Sequence, residues 1–165
     1  MNVRAVLAAL VATTVLGGSI AAAVPAPQAK KAAAPAKKGA ARVIEITGDD
    51  TMKFNVTNLT AKPGERVTIR FINKGTMPKM AAGHNVVVLK PGVDMPAFAQ
   101  AAVMAGATDY IPAKFKDQIV ANTKIAGPGE TVEVTFTVPT APGDYPYICS
   151  FPGHYVTMKG TLKVA

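Results

Sequence analysis

Cysteine is nearly absent from this chain of 165 residues, since Cys149 carries its only thiol. An internal disulfide is therefore excluded, and Cys149 has to be free, joined to another chain or bound to a metal ion. Histidine is almost as scarce, because the sequence contains only His84 and His154. Any metal site with imidazole ligands must draw on these two residues.

Acidic residues are missing from the first 42 positions, where six of the eighteen basic residues lie. The net charge of +8 therefore belongs largely to the N-terminal part, and residues 43–165 carry twelve basic and ten acidic side chains, a balance of only +2. A short lysine tail without interleaved aromatic residues or a binding motif does not indicate nucleic-acid binding. We therefore expect no nucleic-acid partner.

The N-terminal part is predicted to direct export. Residues 5–24 form a run of apolar and small residues after a start that contains one arginine, which is typical of a signal peptide spanning residues 1–24. The run is also long enough to remain as an uncleaved anchor that tethers the protein to a membrane. Residues 25–42 contain only Ala, Pro, Lys, Gly, Gln and Arg and are predicted to form a disordered linker. The folded domain should then span residues 43–165.

Short segments of the domain alternate apolar and polar side chains with a period of two, and turn sequences rich in proline and glycine separate them. This period is typical of half-buried strands, and their spacing predicts a β-sandwich. In the segment 131–138, we expect Val132, Val134, Phe136 and Val138 to be buried. The predicted strands are residues 43–47, 52–59, 66–73, 84–90, 119–120, 131–138, 143–149 and 159–164.

One segment departs from the strand pattern. Residues 96–107 are rich in alanine and place Phe98, Ala101, Ala102 and Met104 at a helical spacing, with Pro96 suited to the first turn. We therefore predict one short helix, packed against the edge of the sandwich.

The segment 149–158 holds three metal-binding side chains with the spacing C-x4-H-x3-M, namely Cys149, His154 and Met158. Soft sulfur ligands with imidazoles suit copper, and two histidines, one cysteine and a distant methionine form the set used for electron transfer. The second imidazole must come from His84. Since His84 opens one predicted strand and Cys149 ends another, the two are expected to meet at one end of the sandwich.

The neighbours of His84 and Cys149 fit the same hypothesis. Gly83 has no side chain, so its carbonyl could approach the metal opposite Met158 as a weak fifth contact. Asn85 could reach the loop around Ser150 and fix the ligands from outside. Met77 and Met80 are expected to pack near the site or the surface rather than bind metal.

Several of these features together resemble azurin, a blue-copper protein of the cupredoxin family. They are the triplet Gly83-His84-Asn85, the spacing from Cys149 to Met158, the sequence of residues 151–154 and the sequence of residues 159–162. The resemblance covers residues 43–165 and implies an all-β fold, an eight-stranded Greek-key sandwich. It also implies one type 1 copper and single-electron transfer between periplasmic redox proteins, such as cytochromes or oxidoreductases. Azurins usually carry a disulfide that this chain lacks, so packing alone must hold that end.

The resemblance implies a way for the electron to leave the protein. His154 lies on a loop, so its ring edge should come closest to solvent, and a dry, uncharged surface around it would allow brief docking of a partner. We expect a monomeric electron carrier rather than an enzyme. The apolar rim is predicted to comprise Phe151, Pro152, Gly153, Tyr155, Val156 and Ala82.

Two other functions compete with electron transfer. Cys149 could be a thiol nucleophile assisted by His154, although the sequence shows no third group to orient them. Alternatively, the protein could carry or store copper without electron traffic, which would favour exposed and exchangeable sulfur ligands.

Overall fold

The computed structural model describes residues 40–165. The predicted signal peptide and most of the predicted linker lie outside these residues. The first strand begins at Arg42, the last residue assigned to the linker. Within the described part of the chain, no helix is long and apolar enough to cross a membrane.

The described residues form eight β-strands in two sheets, which confirms the predicted β-sandwich. The strands are β1 (Arg42–Gly48), β2 (Asn58–Ala61), β3 (Arg66–Asn73), β4 (Val87–Leu89), β5 (Ile119–Asn122), β6 (Thr131–Thr137), β7 (Gly143–Ile148) and β8 (Lys159–Val164). One sheet has the order β1-β3-β6 and the other has the order β2-β8-β7-β4-β5. β1 pairs with β3, and β2 with β8, in parallel, whereas the other strand pairs are antiparallel.

The strand β3 shows how the alternating pattern builds the core. Val67, Ile69 and Phe71 are at most 1% exposed, as the sequence predicts. The predicted burial of β6 is only partly right, since Val132, Val134 and Phe136 are half-buried. β6 is an edge strand of the three-stranded sheet, so another strand flanks it on one side only. Its apolar side chains therefore stay partly accessible to solvent.

The prediction of a strand over residues 52–59 is wrong for its first part. After β1 the chain turns, because Asp49 accepts a hydrogen bond from the Thr51 N–H at 2.9 Å and Met52 adopts a positive φ of 56°. Phe54 then forms an isolated bridge to Gly48 and buries its ring in the core. The apolar residues of this segment are thus used for packing, and pairing resumes only at Asn58.

The predicted helix is present and shorter than expected. It begins after Asp94, whose side chain accepts a hydrogen bond from the Ala97 N–H, and Pro96 lies in its first turn. Phe98 and Ala102 pack with residues of β4 and β7 that point away from the main core. The helix therefore covers a face of the five-stranded sheet rather than the edge of the sandwich. The two α-helices of the described residues are α1 (Lys79–Ala82) and α2 (Met95–Val103).

Tyr147 crosses the neighbouring strand β8 in the main core. It is fully buried, packs 5.4 Å from the ring of Phe54, and donates a hydrogen bond to the Val56 carbonyl. A Cβ atom at Gly160 would overlap the Tyr147 ring and would lie 2.7 Å from the Thr57 carbonyl oxygen. Glycine at position 160 is therefore what allows the tyrosine ring to lie against β8.

Candidate metal centre

Cys149 follows β7 directly, and the loop after it closes on itself. The Cys149 N–H donates to the Met158 carbonyl at 2.9 Å, and the Met158 N–H donates to the His154 carbonyl at 2.8 Å. Gly153 adopts a positive φ of 81° just before His154, a conformation that glycine takes without steric cost. These bonds fix three of the predicted ligands relative to the hairpin of β7 and β8.

His84 reaches the same place from another part of the chain. It follows α1 and exchanges two main-chain hydrogen bonds with Ala126, at 3.1 Å and 2.7 Å. The strand predicted to start at His84 begins only at Val87, so this bridge, and not a sheet ladder, holds the backbone of His84. The side chain is fully buried.

The donor atoms of His84, His154 and Cys149 form a compact triangle. The two Nδ1 atoms lie 3.1 Å apart, and the Cys149 Sγ lies 3.9 Å from the Nδ1 of His84 and 3.6 Å from that of His154. A point equidistant from these atoms is about 2 Å from each, the distance at which a histidine nitrogen binds a metal ion. The three residues are thus arranged as a single metal site, as the sequence predicts.

The chemistry of the donors also fits a metal ion. Burial lowers the pKa of His84, and burial together with the neighbouring His84 lowers the pKa of His154 to about 4. Both imidazoles are therefore neutral near pH 7 and can offer a lone pair. Burial raises the pKa of the Cys149 thiol to about 12, although the main-chain N–H groups of Asn85 and Phe151 act in the opposite direction. Metal binding must then displace the thiol proton.

The Nε2 atom of His84, the far nitrogen of the ring, is buried and has no hydrogen-bond partner. Among the described residues it is the only buried side-chain nitrogen or oxygen atom in this situation. The Asp49 carbonyl approaches this ring closely enough to favour its protonated form, although the two groups do not meet the geometry of a hydrogen bond. Because the Nδ1 atom faces His154 and Cys149, a neutral His84 must carry its proton on the far nitrogen if Nδ1 is to bind a metal. The position of Asp49 favours this tautomer.

Met158 is fully buried beside the triangle, next to the end of β1. A Cβ atom at Gly48 would overlap the terminal methyl group of Met158 and would lie 3.1 Å from the Phe71 ring. Gly48 therefore makes room for the methionine. Its sequence context, Gly48-Asp49-Asp50, indicates only a turn, so this role could not be predicted from the sequence.

Gly83 is also in a confined position. A Cβ atom there would lie 2.6 Å from Ile125 and 2.7 Å from the Lys79 carbonyl oxygen. Glycine is thus required for the close approach of α1 to Ile125, immediately before His84. The role of the Gly83 carbonyl as a weak metal contact stays a prediction.

The predicted link between Asn85 and the ligand loop is confirmed. The Asn85 side chain accepts a hydrogen bond from the Ser150 N–H at 2.8 Å and donates one to the Ser150 Oγ at 2.8 Å. It also donates to the Asp109 carbonyl at 3.0 Å. The residues that follow the two ligands His84 and Cys149 in sequence are therefore joined directly, which limits how far the ligands can separate.

Asn73 is a structural residue of the site that the sequence analysis missed. It is 1% exposed, and its side chain donates to the Ala126 carbonyl at 3.0 Å and accepts from the Gly75 N–H at 2.8 Å. Ala126 is the residue that bridges to His84. Asn73 thus ties the end of β3 to the backbone that positions His84, and its place at a strand end gave no sign of this.

A second missed feature is the turn at Asp109 and Tyr110, which take positive φ values of 56° and 60°. Two consecutive left-handed residues other than glycine are uncommon and cost energy. The turn is held because the Asp109 side chain accepts from the Ile125 N–H at 3.1 Å, while its carbonyl binds Asn85. The ring centroids of Tyr110 and Phe151 lie 4.9 Å apart with the rings tilted by 59°, and those of Phe151 and His154 lie 4.7 Å apart.

The predicted apolar rim is only partly exposed. Val156 is 58% exposed, and Pro152 and Tyr155 are half-buried, whereas Phe151 and Ala82 are buried and contribute little surface. His154 itself is 4% exposed. Met52, Met77 and Met80 are exposed as well, and the Met52 carbonyl accepts a hydrogen bond from Thr157 of the loop.

Comparison with known proteins identifies relatives of this chain. A family model described as copper binding proteins, plastocyanin/azurin family, matches residues 40–165. Azurin from Alcaligenes faecalis is 40% identical over 125 residues, which cover 73% of this chain and 96% of the relative. Auracyanin-A from Chloroflexus aurantiacus is 43% identical over 117 residues, which cover 70% of this chain and 68% of the relative.

The fold is similar to that of a solved relative as well. The structure of auracyanin A, described as a "blue" copper protein from Chloroflexus aurantiacus, matches with a TM-score of 0.68 and 41% identity, covering 74% of this chain and 98% of that chain. Azurin and auracyanin thus have similar degrees of identity to this chain. Both the sequence and the fold point to one group of proteins.

Proposed function

Because the chain belongs to the plastocyanin/azurin family of copper-binding proteins, we propose that it carries single electrons in the periplasm between redox proteins that dock around His154. The chain is a cupredoxin electron carrier with residues that fit one type 1 copper ion. The observation that carries the proposal is the buried triangle of two imidazole nitrogens and one thiol sulfur, within 4.8 Å of one another.

The side chains of His84, Cys149 and His154 would hold the ion, and the Met158 thioether and the Gly83 carbonyl would be weaker ligands. Copper supplies the one-electron chemistry by alternating between Cu(II) and Cu(I). The residues around it hold the ligands in place. A ligand set that is fixed from two separate parts of the chain rearranges little between the two charge states, which favours rapid electron exchange.

The burial of the sulfur atoms argues against the two competing functions. Cys149 and Met158 are both fully buried, whereas exchange of stored copper would favour accessible sulfur ligands. Burial also raises the pKa of Cys149 to about 12, so the thiol would not ionise readily as a nucleophile. We therefore propose that the protein is not an enzyme.

A single experiment tests the proposed site. Cupric ion is added to the purified metal-free protein, and the absorption spectrum is recorded before and after chemical reduction. An intense blue or green colour that disappears on reduction and returns on reoxidation supports the electron carrier. A colourless complex would instead support storage or thiol chemistry.

The docking surface is tested by placing a charge on it. Val156→Glu should slow electron exchange with a c-type cytochrome about tenfold, because a carboxylate must lose water at an interface that offers it no partner. Stopped-flow spectroscopy measures this rate. Val43→Glu is the matched control, since Val43 is 48% exposed. It lies five residues before Gly48, the end of β1 beside Met158, and is therefore roughly 17 Å from that end of the strand.

The cytochrome should distinguish the two variants if docking occurs at His154. Equal rates for Val156→Glu and the unchanged protein would contradict this docking surface, and equal slowing by Val43→Glu would point to a general charge effect.

We propose further that the protein is a monomer, which light scattering can check. Retention of residues 5–24 would tether it to a membrane, and the mass of the mature protein tests whether they are removed.

A further inference from the structure

Three exposed methionines lie in segments that adjoin the metal site. Met52 is 38% exposed, Met77 is 42% exposed and Met80 is 86% exposed, whereas Met158 is fully buried. We call Met52, Met77 and Met80 the methionine rim. Met80 gains little from packing at this exposure, so the folded core does not account for it, whereas Met52 and Met77 are covered over more than half of their surface.

Met52 contacts the ligand loop directly, whereas Met77 is placed by the turn that follows β1. The Met52 carbonyl accepts a hydrogen bond from the Thr157 hydroxyl at 2.9 Å, one residue before Met158. The Met77 N–H lies 3.4 Å from the Asp50 carboxylate, in the segment that leads into α1 and His84.

Met80 approaches the site from the side of Tyr110. Met80 and Tyr110 line a common cavity of about 180 Å³. The Tyr110 ring is in tilted contact with Phe151, which packs on His154. The three thioethers of the methionine rim therefore belong to the end of the sandwich where the electron is proposed to leave.

We propose that the methionine rim is a site of oxidation that controls docking, with hydrogen peroxide as the oxidant. Peroxide transfers one oxygen atom to the thioether sulfur, the sulfur gives up two electrons, and water is the other product. The thioether becomes a sulfoxide, which is polar and accepts hydrogen bonds. The proposal rests on the proposed docking of redox partners around His154.

The physical consequence follows from the difference between a thioether and a sulfoxide. A thioether loses water easily when a partner covers it, whereas a sulfoxide oxygen has to exchange its bound water for contacts that an apolar interface does not offer. Oxidation of the rim should therefore weaken docking.

The metal site itself should survive the same treatment. Met158 and Cys149 are fully buried, so peroxide reaches their sulfur atoms far more slowly than it reaches Met80. The protein would keep its colour while losing exchange with its partners. This separation distinguishes the proposed effect from damage to the ligands.

The test uses the copper-loaded protein in its oxidised form. The protein is treated with hydrogen peroxide, the excess is removed with catalase, and peptide mass spectrometry locates the sulfoxides. The rate of electron self-exchange between oxidised and reduced molecules is then measured by NMR line broadening. This readout needs no knowledge of the natural partner, because two copies meet through their own docking surfaces.

We expect sulfoxide at Met52, Met77 and Met80, an unchanged visible spectrum and self-exchange about tenfold slower. The triple variant Met52→Leu, Met77→Leu and Met80→Leu should keep its rate after peroxide, because leucine has a similar volume and cannot be oxidised in this way. Met104→Leu is the control, since Met104 is 89% exposed and the rim is intact in this variant. Self-exchange of this variant should still become slower after peroxide treatment.

Two outcomes would overturn the proposal. Either the oxidised protein exchanges electrons at its original rate although mass spectrometry finds the rim oxidised, or the triple leucine variant is slowed as much as the unchanged protein. Val156→Glu, measured without peroxide, separates this failure from that of the proposed function. If Val156→Glu slows self-exchange and rim oxidation does not, docking at His154 stands and only the role of the methionine rim is wrong.

Discussion

The two ends of the sandwich use polar side chains in opposite ways. At the metal end, Asn73, His84 and Asn85 are at most 1% exposed, and the two asparagines make hydrogen bonds in fixed directions. At the other end, Arg42 pairs with Glu65 at 2.6 Å, with the two side chains 46% and 22% exposed. Buried polar groups are costly unless their partners are in place, whereas exposed ones can exchange partners with water. The metal end should therefore tolerate change far less than the other end.

The strongest test of this difference removes the sulfur ligand. Cys149→Ser should abolish the intense visible band of the copper-loaded protein, because a hydroxyl is a much poorer partner for copper than a thiolate. Titration with cupric ion, followed by absorption spectroscopy, measures this loss. A serine variant that kept the full colour would show that Cys149 is not the ligand responsible.

Acid should act next most strongly, and it should act on the metal-free protein through the metal end. The pKa of His154 is about 4 in the fold and about 6.5 when unfolded, so below pH 6.5 the unfolded state binds more protons. Titration of His154 therefore leaves the free energy of unfolding unchanged above pH 6.5. As the pH is lowered from 6.5 to about 4, it decreases this free energy by at most about 3 kcal/mol. Urea unfolding of the metal-free protein across this range measures the decrease.

A variant without the titrating ring isolates this contribution. His154→Gln cannot gain a proton at position 154, and only His84, whose pKa burial also lowers, remains as an imidazole, so the stability should depend less on pH in this window. Carboxylates with lowered pKa values, such as Glu65 beside Arg42, lose their stabilising effect in more acidic solution. An identical slope in both proteins would mean that His154 is not the group that titrates.

Removal of the buried amide at Asn73 should have a smaller but clear effect. Asn73→Ala leaves the Gly75 N–H without its partner and frees the Ala126 carbonyl, which should lower the free energy of unfolding by about 2 kcal/mol. The copper spectrum should shift as well, because Ala126 positions the backbone of His84. Urea unfolding and the visible spectrum measure the two effects, and a loss of stability with an unshifted spectrum would separate Asn73 from the site.

The smallest effect is expected at the opposite end. Arg42→Ala removes an exposed ion pair and should lower the free energy of unfolding by less than about 1 kcal/mol. The visible spectrum should not change, since Arg42 lies at the start of β1 and Gly48, beside Met158, at its end. A spectral shift in this variant would mean that the two ends of the sandwich are coupled.

How far the sequence predicts this structure depends on whether a feature is periodic. The strand β3 was predicted at its observed bounds, because its alternating burial is visible in Val67, Ile69 and Phe71. Residues 52–57 alternate in the same way, yet they turn and pack instead of pairing, since the positive φ of Met52 leaves no trace in the pattern.

The candidate site shows the same limit. Its donor atoms could be predicted because cysteine and histidine are so scarce that few combinations exist. The residues that position them could not, since the contacts of Asn73 with Ala126 and of Gly48 with Met158 join parts of the chain that are far apart in sequence. Such contacts depend on the finished fold and not on any local spacing.

The close contact between Tyr147 and Gly160 has a consequence for how this protein can change during evolution. A Cβ atom at position 160 would occupy the space of the Tyr147 ring and would also lie 2.7 Å from the Thr57 carbonyl oxygen. A smaller residue at position 147 would relieve the first of these contacts but not the second, which is with the main chain. Glycine at position 160 should therefore persist in descendants of this chain, including those in which position 147 has changed.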